Sequence, residues 1–407
     1  MLEFLRRVGG AIRSGWLMLG VTLALLAALE GGLRWRRVRA EAYHPVPATL
    51  LVGDPRREPW WEDWKREFEA VSRMGWQPYV YFRRVGGYQG RHITIDSLGR
   101  RGTPQPATPA EPRLRVRLYG GSTMWGEPLR EDRTIAAELA RRLQPLAGPG
   151  GRVEVVNMGE SGYVFQQEVV QLLLDLRDGA RPDVVVFYDG INDVMSTIQR
   201  GRAGDPQNEV NRVNEFTLGR ALDRGRYPEG WAREAGPLGA LAAQAFGRSA
   251  LAEWARGRKR GAAPTFIGGD SAARATVRAY AATARSVEAL GAAHHFVPVF
   301  VWQPNIHATP KVLAPYERNL MNLIEKDPLH AAVKAAHERI PALLDSAMAP
   351  VAGDRYADLA RLFAGDSMPA FVDRVGHNTE GAVPAIVDAM WPVVRRAAER
   401  ALAAPRR

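Results

Sequence analysis

Cysteine is missing from the whole chain of 407 residues. This excludes a disulfide framework, a thiol nucleophile and a thiolate-ligated metal, and it leaves the compartment open. Also missing is a basic element interleaved with aromatics, which a nucleic-acid partner would require. The net charge is +11 and mostly arginine, but the arginines are scattered, many in stretches such as "AEWARGRKRGAAP". They read as a solvated surface, with attraction to anionic lipid or an acidic polymer as the lesser option. What is present is apolar: 46% of the residues are hydrophobic, enough for one large core or two modest ones.

The apolar run at the N-terminus is short. Arg6, Arg7 and Arg13 precede "GWLMLGVTLALLAALEGGL", and the uncharged stretch from Ser14 to Leu29 has 16 residues. A spanning helix wants roughly 20. Gly31 to Leu33 extend the run if Glu30 sits at the interface, and Arg13 can snorkel at the other end. A cleaved signal peptide and an uncleaved anchor compete here. No small-x-small site follows directly, since Glu30, Arg34, Arg36 and Arg37 come next. The balance favours a membrane anchor over 1–33, with the bulk of the chain extracytoplasmic. The arginines just after the run weaken the positive-inside argument for that orientation.

Residues 34–112 read as an accessory region. In "EPWWEDWKREFEAV", Trp60, Trp61, Trp64 and Phe68 recur at near-helical spacing, which predicts an amphipathic helix packing on the main domain. "PYVYFRRVGGYQGRHITIDSLGRRG" alternates like strands around Gly86-Gly87, a hairpin signal. Thr103 to Pro112 is a Pro-rich linker.

From Arg113 the pattern becomes strand and helix in turn. Strands are expected at Leu114 to Tyr119, Val153 to Asn157, Val184 to Tyr188, within "HHFVPVFVWQP" and within "RYADLARLF". Helices are expected over Ile135 to Leu143, Phe165 to Leu176, Ala272 to Leu290, Tyr316 to Ile324, Leu329 to Ala347 and Thr379 to Ala403. Repeated βα units imply a parallel sheet with helices on both faces, so 113–407 reads as one α/β domain. An interruption at about 196–270, rich in Gly, Arg and Asn, follows a strand end. A lid over the site and a bland surface excursion fit it equally.

In an open parallel sheet, ligands bind at the carboxyl ends of the strands. Gly120-Gly121-Ser122-Thr123 follows the first strand, "NMGESGY" with Gly162 the second, and "YDGINDV" with Asn192 the third. "FVDRVGHNTEG" with Asp373 and His377 precedes the last helix. Each has a part in acyl transfer. Ser122 needs a base, and His377 can be that base, neutral near physiological pH at its ordinary pKa of about 6.5. Asp373 can hold the imidazole tautomer. The backbone N–H of Ser122, the backbone N–H of Gly162 and the Asn192 amide can form an oxyanion hole. The bland readings stand beside this. A Gly-Gly-Ser turn alone is usually only a turn, and "GIND" alone can be an Asx turn. The first glycine turn is neither a lysine-bearing phosphate loop nor a dinucleotide fingerprint. His294 and His295 at a strand start, and His330 and His337 on a helix, read as structural; His44 and His92 carry no assignment.

The series "GGST", "NMGESGY", "YDGIND" and Asp373/His377 resembles the SGNH (GDSL-like) hydrolase superfamily, membrane-anchored bacterial type. The family's signature Ser, Gly, Asn and His fall on Ser122, Gly162, Asn192 and His377. The resemblance covers Arg113 to about Ala403, and the "VFVWQPN" strand end looks like those anchored members too. "GGST" departs from the commoner Gly-Asp-Ser form. It implies a three-layer α/β/α flavodoxin-like parallel sheet and a serine esterase or acyltransferase with no cofactor. A further departure is spacing: the family usually sets its Asp three residues before the His, and here Asp373 lies four before it, with Gly376 between. Either Gly376 absorbs the extra residue, or a backbone carbonyl orients His377 and leaves a Ser-His dyad.

Three functions fit these residues. The first is an anchored serine hydrolase acting on an ester-bearing small molecule or glycan, such as an O-acetyl group on a cell-surface glycan. The second is an O-acyltransferase that modifies an exopolysaccharide through the same Ser and His. The third is a non-catalytic glycan-binding or assembly protein, against which the intact Ser122, Gly162, Asn192 and His377 argue.

Overall fold

The N-terminal apolar run forms a helix, α1 (Trp16–Leu33), of mean hydropathy 1.8 and none of it buried, long and apolar enough to cross a membrane. The structure, a computed structural model, describes residues 16–18, 20–33, 54–106, 111–207, 209, 212 and 267–404. Most of the expected insertion therefore lies outside the described residues, as does His44. Two units divide the chain: Met1–Val46 with Asn211–Thr265, and Pro47–Val210 with Phe266–Arg407. The second holds the parallel sheet and the helices that cover it.

Its first helix is α2 (Trp61–Val71). Positions three and four apart share a helix face, so Trp61, Trp64 and Phe68 line up, with ring centroids 5.8 and 4.9 Å apart. Phe68 then meets Trp125 edge-on at 5.9 Å. Trp64, Val71, Ile93, Ile95 and Trp125 make a small core of their own. Two antiparallel pairs follow: β1 (Met74–Gln77) with β2 (Tyr81–Arg84), and β3 (Tyr88–Gln89) with β4 (Thr94–Ile95). The hairpin expected to turn at Gly86-Gly87 turns instead between Gln77 and Tyr81. Tyr79 and Tyr81 take positive φ of 72° there, a conformation uncommon for tyrosine and so not signalled by residue type.

The main sheet has five parallel strands: β5 (Pro112–Gly120), β6 (Arg152–Asn157), β7 (Val184–Asp189), β8 (Val297–Trp302) and β9 (Tyr356–Asp358). Their spatial order is β6-β5-β7-β8-β9. That is the flavodoxin-like order, whose switch point falls between the first and third strands, here β5 and β7. Every residue of β7 is buried, as its continuous run of valines and aromatics demands for a central strand covered on both faces. At the β6 edge, the Gln105 side chain donates to Val155 O and accepts from Val155 N, both at 2.9 Å.

Helices cover both faces. They are α3 (Ser122–Trp125), a single turn, then α4 (Ile135–Leu143), α5 (Phe165–Arg177), α6 (Ile191–Arg200), α7 (Gly269–His294), α8 (Pro315–Lys326), α9 (Pro328–Ala352) and α10 (Val383–Ala403). On one face, Leu139 and Leu143 of α4 and Val387, Met390 and Val394 of α10 pack over Val116 and Val186. On the other, Leu172 of α5, Ala284 of α7 and Ile340 of α9 pack over Val185 and Phe187. Burying one such side chain is worth about 1.5–3 kcal/mol, so two opposed apolar faces fix the three layers. His294 ends α7 and His295 caps it at φ 62°, so neither sits at a strand start as expected. The α7 pattern of small residues simply continues to the cap.

Candidate active site

Ser122 stands where β5 ends. It is the first residue of α3, after Gly121. A β-carbon on Gly121 would lie 2.3 Å from Asn192 Nδ2, so the Asn192 amide would have to leave its present place. Glycine there lets the β5 end and the start of α6 close together, which brings the Asn192 amide against the Gly121–Ser122 segment.

His377 reaches the same point from the loop before α10. Its Nε2 lies 2.7 Å from Ser122 Oγ. Its Nδ1 lies 2.6 Å from Asp373 Oδ2. The other oxygen of Asp373 accepts from the backbone N–H of Val375 at 3.0 Å and of His377 at 3.3 Å. Val372 N–H closes the loop by donating to His377 O at 2.7 Å. The additional residue between Asp373 and His377 is accommodated at Gly376, whose φ of 84° is open to glycine and strained for other residues.

The Asn192 amide is oriented from both ends. Its Nδ2 donates to Tyr163 O at 2.8 Å, and its Oδ1 accepts from Gln207 Nε2 at 3.1 Å. One Nδ2 hydrogen is thus used and one is left. Gly162, at φ 77°, precedes Tyr163, and Gln207 Oε1 lies 3.6 Å from where its β-carbon would stand. The structure therefore links Ser122, His377 and Asp373 by hydrogen-bond distances, sets Asn192 beside them, and joins Gly162 to Asn192 through Tyr163 and Gln207.

Three groups here escaped the sequence reading. Glu127, just after α3, has Oε2 3.7 Å from His377 Nε2. Its Oε1 accepts from Arg84 at 2.7 Å and from Ser161 Oγ. Gln207 is the third. The nearest signal in the sequence was the charge of Glu127 so close behind the serine. Nothing pointed to Arg84, which arrives from β2 and lies 43 residues from Glu127 in sequence.

Charge at the site follows from these contacts. Burial works against a charged His377, but Asp373 and then Glu127 outweigh it, and the imidazole pKa is raised to about 9. The expectation of a resting neutral imidazole at physiological pH is thereby corrected: two flanking carboxylates favour the protonated form. Burial also pushes the Asp373 carboxyl up, but His377 and its hydrogen bonds hold it below the usual range. Next to Asn192, burial pushes the Asp193 carboxyl up to about 7, although Phe165 N–H donates to it at 3.1 Å.

No family model and no curated protein matches this chain. Solved structures do. The acetyl xylan esterase AlAXEase aligns at 12% identity over 69% of this chain and 100% of its own, with a TM-score of 0.37. Axe2, an acetylxylan esterase from Geobacillus stearothermophilus, aligns at 12% identity over 73% of this chain and 98% of its own, with a TM-score of 0.37. A candidate arylesterase from Agrobacterium tumefaciens str. C58 aligns at 17% identity over 70% of this chain and 99% of its own, with a TM-score of 0.39.

Proposed function

We propose that this chain is a serine esterase of the SGNH type. The observation that carries the reading is the continuous line Ser122 Oγ to His377 Nε2 at 2.7 Å and His377 Nδ1 to Asp373 Oδ2 at 2.6 Å. In this mechanism neutral His377 takes the Ser122 proton on Nε2 as Oγ attacks the ester carbonyl. The carbonyl oxygen becomes an oxyanion, met by Ser122 N–H, Gly162 N–H and the free hydrogen of Asn192 Nδ2. His377 then gives the proton to the departing alcohol oxygen, which leaves an acyl-serine. Water repeats the sequence and releases the acid.

The substrate class is an O-acyl ester, and we assign it to an O-acetyl group on a cell-surface glycan. That assignment follows from α1 read as an anchor, with the site outside the cytoplasm. Labelling of the full-length protein with a fluorophosphonate, with and without Ser122→Ala, tests the chemistry. Wild type should label and the variant should not; equal labelling of both removes Ser122 as nucleophile. Full-length protein should also resist alkaline extraction from membranes. Release into the wash would count against the anchor.

A further inference from the structure

Asp373 meets the imidazole of His377 on one nitrogen, and a second carboxylate faces the other. Glu127 is set there by its own backbone, whose N–H donates to Ser122 O at 3.0 Å. Its side chain is mostly buried, 13% exposed, beside an Arg84 side chain that is 1% exposed. Arg84 holds it in several ways. The guanidinium donates to Glu127 Oε1 at 2.7 Å and to Ser161 Oγ at 2.7 Å. Ser161 Oγ donates in turn to Glu127 Oε1. Arg84 itself is pinned, since its backbone N–H donates to Glu160 Oε2 at 2.9 Å and its guanidinium carbon lies over the Trp125 ring, 3.9 Å from its centre. All of this engages Oε1 and leaves Oε2 turned toward His377, 3.7 Å from Nε2.

That separation selects the role. It is too long for a hydrogen bond, so Glu127 does not displace Ser122 Oγ, at 2.7 Å, as the partner of Nε2. It is well within the 4–6 Å over which an opposite charge favours the ionised form. The charged and titratable groups around His377 are Asp373 on its own loop, Glu127 after α3, and, behind Glu127, Arg84 and Glu160. His307, whose Nε2 donates to Arg374 O at 2.8 Å, stands behind Asp373 and is kept neutral by burial, its pKa lowered to about 4.

We propose that Glu127, clamped by Arg84 from the accessory region, is a positioning residue that stabilises the imidazolium of His377 from the Nε2 side. This rests on the hydrolase reading for its role in catalysis, but not for its effect on His377. In each half-reaction the imidazole carries the proton between two oxygens, so stabilising the charged state makes it a stronger base. The cost is that the free enzyme rests protonated and works best in alkaline solution.

The test uses full-length protein in detergent, as wild type, Glu127→Gln and Glu127→Asp. Two readouts are taken against pH: the rate of fluorophosphonate inactivation, and the NMR titration of the His377 ring. Wild type should show a midpoint near 9 in both. Glu127→Gln keeps the shape but removes the charge, and its midpoint should fall by about one pH unit or more. Glu127→Asp keeps the charge and should hold most of the elevation. Midpoints in Glu127→Gln equal to wild type, in a protein that melts at the wild-type temperature, overturn the proposal. Should Glu127→Gln fail to fold, a wild-type midpoint near the ordinary 6.5 overturns it; Glu127→Asp, whose shorter side chain draws the carboxylate back from Nε2, then sustains it with a midpoint between wild type and 6.5 and overturns it with one equal to wild type. If wild type never labels at Ser122, the hydrolase reading fails, and the NMR titrations still decide the question of Glu127.

Discussion

The Arg84 guanidinium lies 3.9 Å from the centre of the Trp125 ring, joining the β1–β2 hairpin to the turn that carries Ser122. Arg101 lies over the same ring at 4.2 Å and donates to Gly126 O at 2.8 Å and Leu129 O at 2.6 Å. The accessory region thus holds the backbone just behind the serine. Arg84→Ala removes a cation from two buried carboxylates at once. Breaking a buried pair on one side costs on the order of 3–5 kcal/mol. Thermal melts of wild type and variant should show a large drop; an unchanged melting temperature would mean the clamp is dispensable.

Asp373→Asn separates two roles of one side chain. Its Oδ1 accepts two loop N–H groups, and an asparagine oxygen can keep both. The amide nitrogen would then face His377 Nδ1 and select the wrong tautomer. Loss of kcat on the order of 10⁴-fold is expected with little change in stability. A variant with near-normal turnover would show that the loop alone orients the ring.

Asn192→Ala removes the amide that we propose as one oxyanion donor. The expected loss is about 10²–10³-fold in kcat, with KM far less affected. A change confined to KM would instead make the amide a substrate-binding group.

Asp193 gives a stability signature. Its folded pKa, near 7, lies above the ordinary aspartate value of about 3.8. A carboxyl raised on folding binds its proton more tightly in the native state, so stability falls as pH climbs from about 4 to 7. Asp193→Asn can keep the bond from Phe165 N–H and never ionises. Its melting temperature relative to wild type should therefore be higher at pH 8 than at pH 4. A difference that does not vary with pH would exclude a protonated Asp193 in the native state.

The sheet was legible because its signals are local. The valine run of β7, the glycine-bearing ends of β5, β6 and β7, and the helical spacing of Ile135 to Leu143 each lie within one short window. Position at strand ends likewise singled out Ser122, Gly162 and Asn192, and the segment before the last helix supplied Asp373 and His377. Arg84, Glu127 and Gln207 were not legible, because their partners lie far away or outside any period. Arg84 meets Ser161 across 77 residues, and no spacing rule connects a hairpin arginine to a strand-end serine. The hairpin turn was misplaced for a related reason: tyrosines, not glycines, take the positive φ values. Folding overrode the residue preference that sequence reading relies on.

The pairing of Gln105 with Val155 reaches beyond the site. An outer strand exposes a row of unmet N–H and C=O groups on which another chain can template itself. Gln105 occupies one such pair on β6 with an amide that imitates a peptide unit, and it lies in no strand itself. At the opposite border β9 is only three residues long. Both margins are thus poor seeds for strand-by-strand growth, which protects a concentrated or crowded protein from fibrous self-assembly through its own sheet.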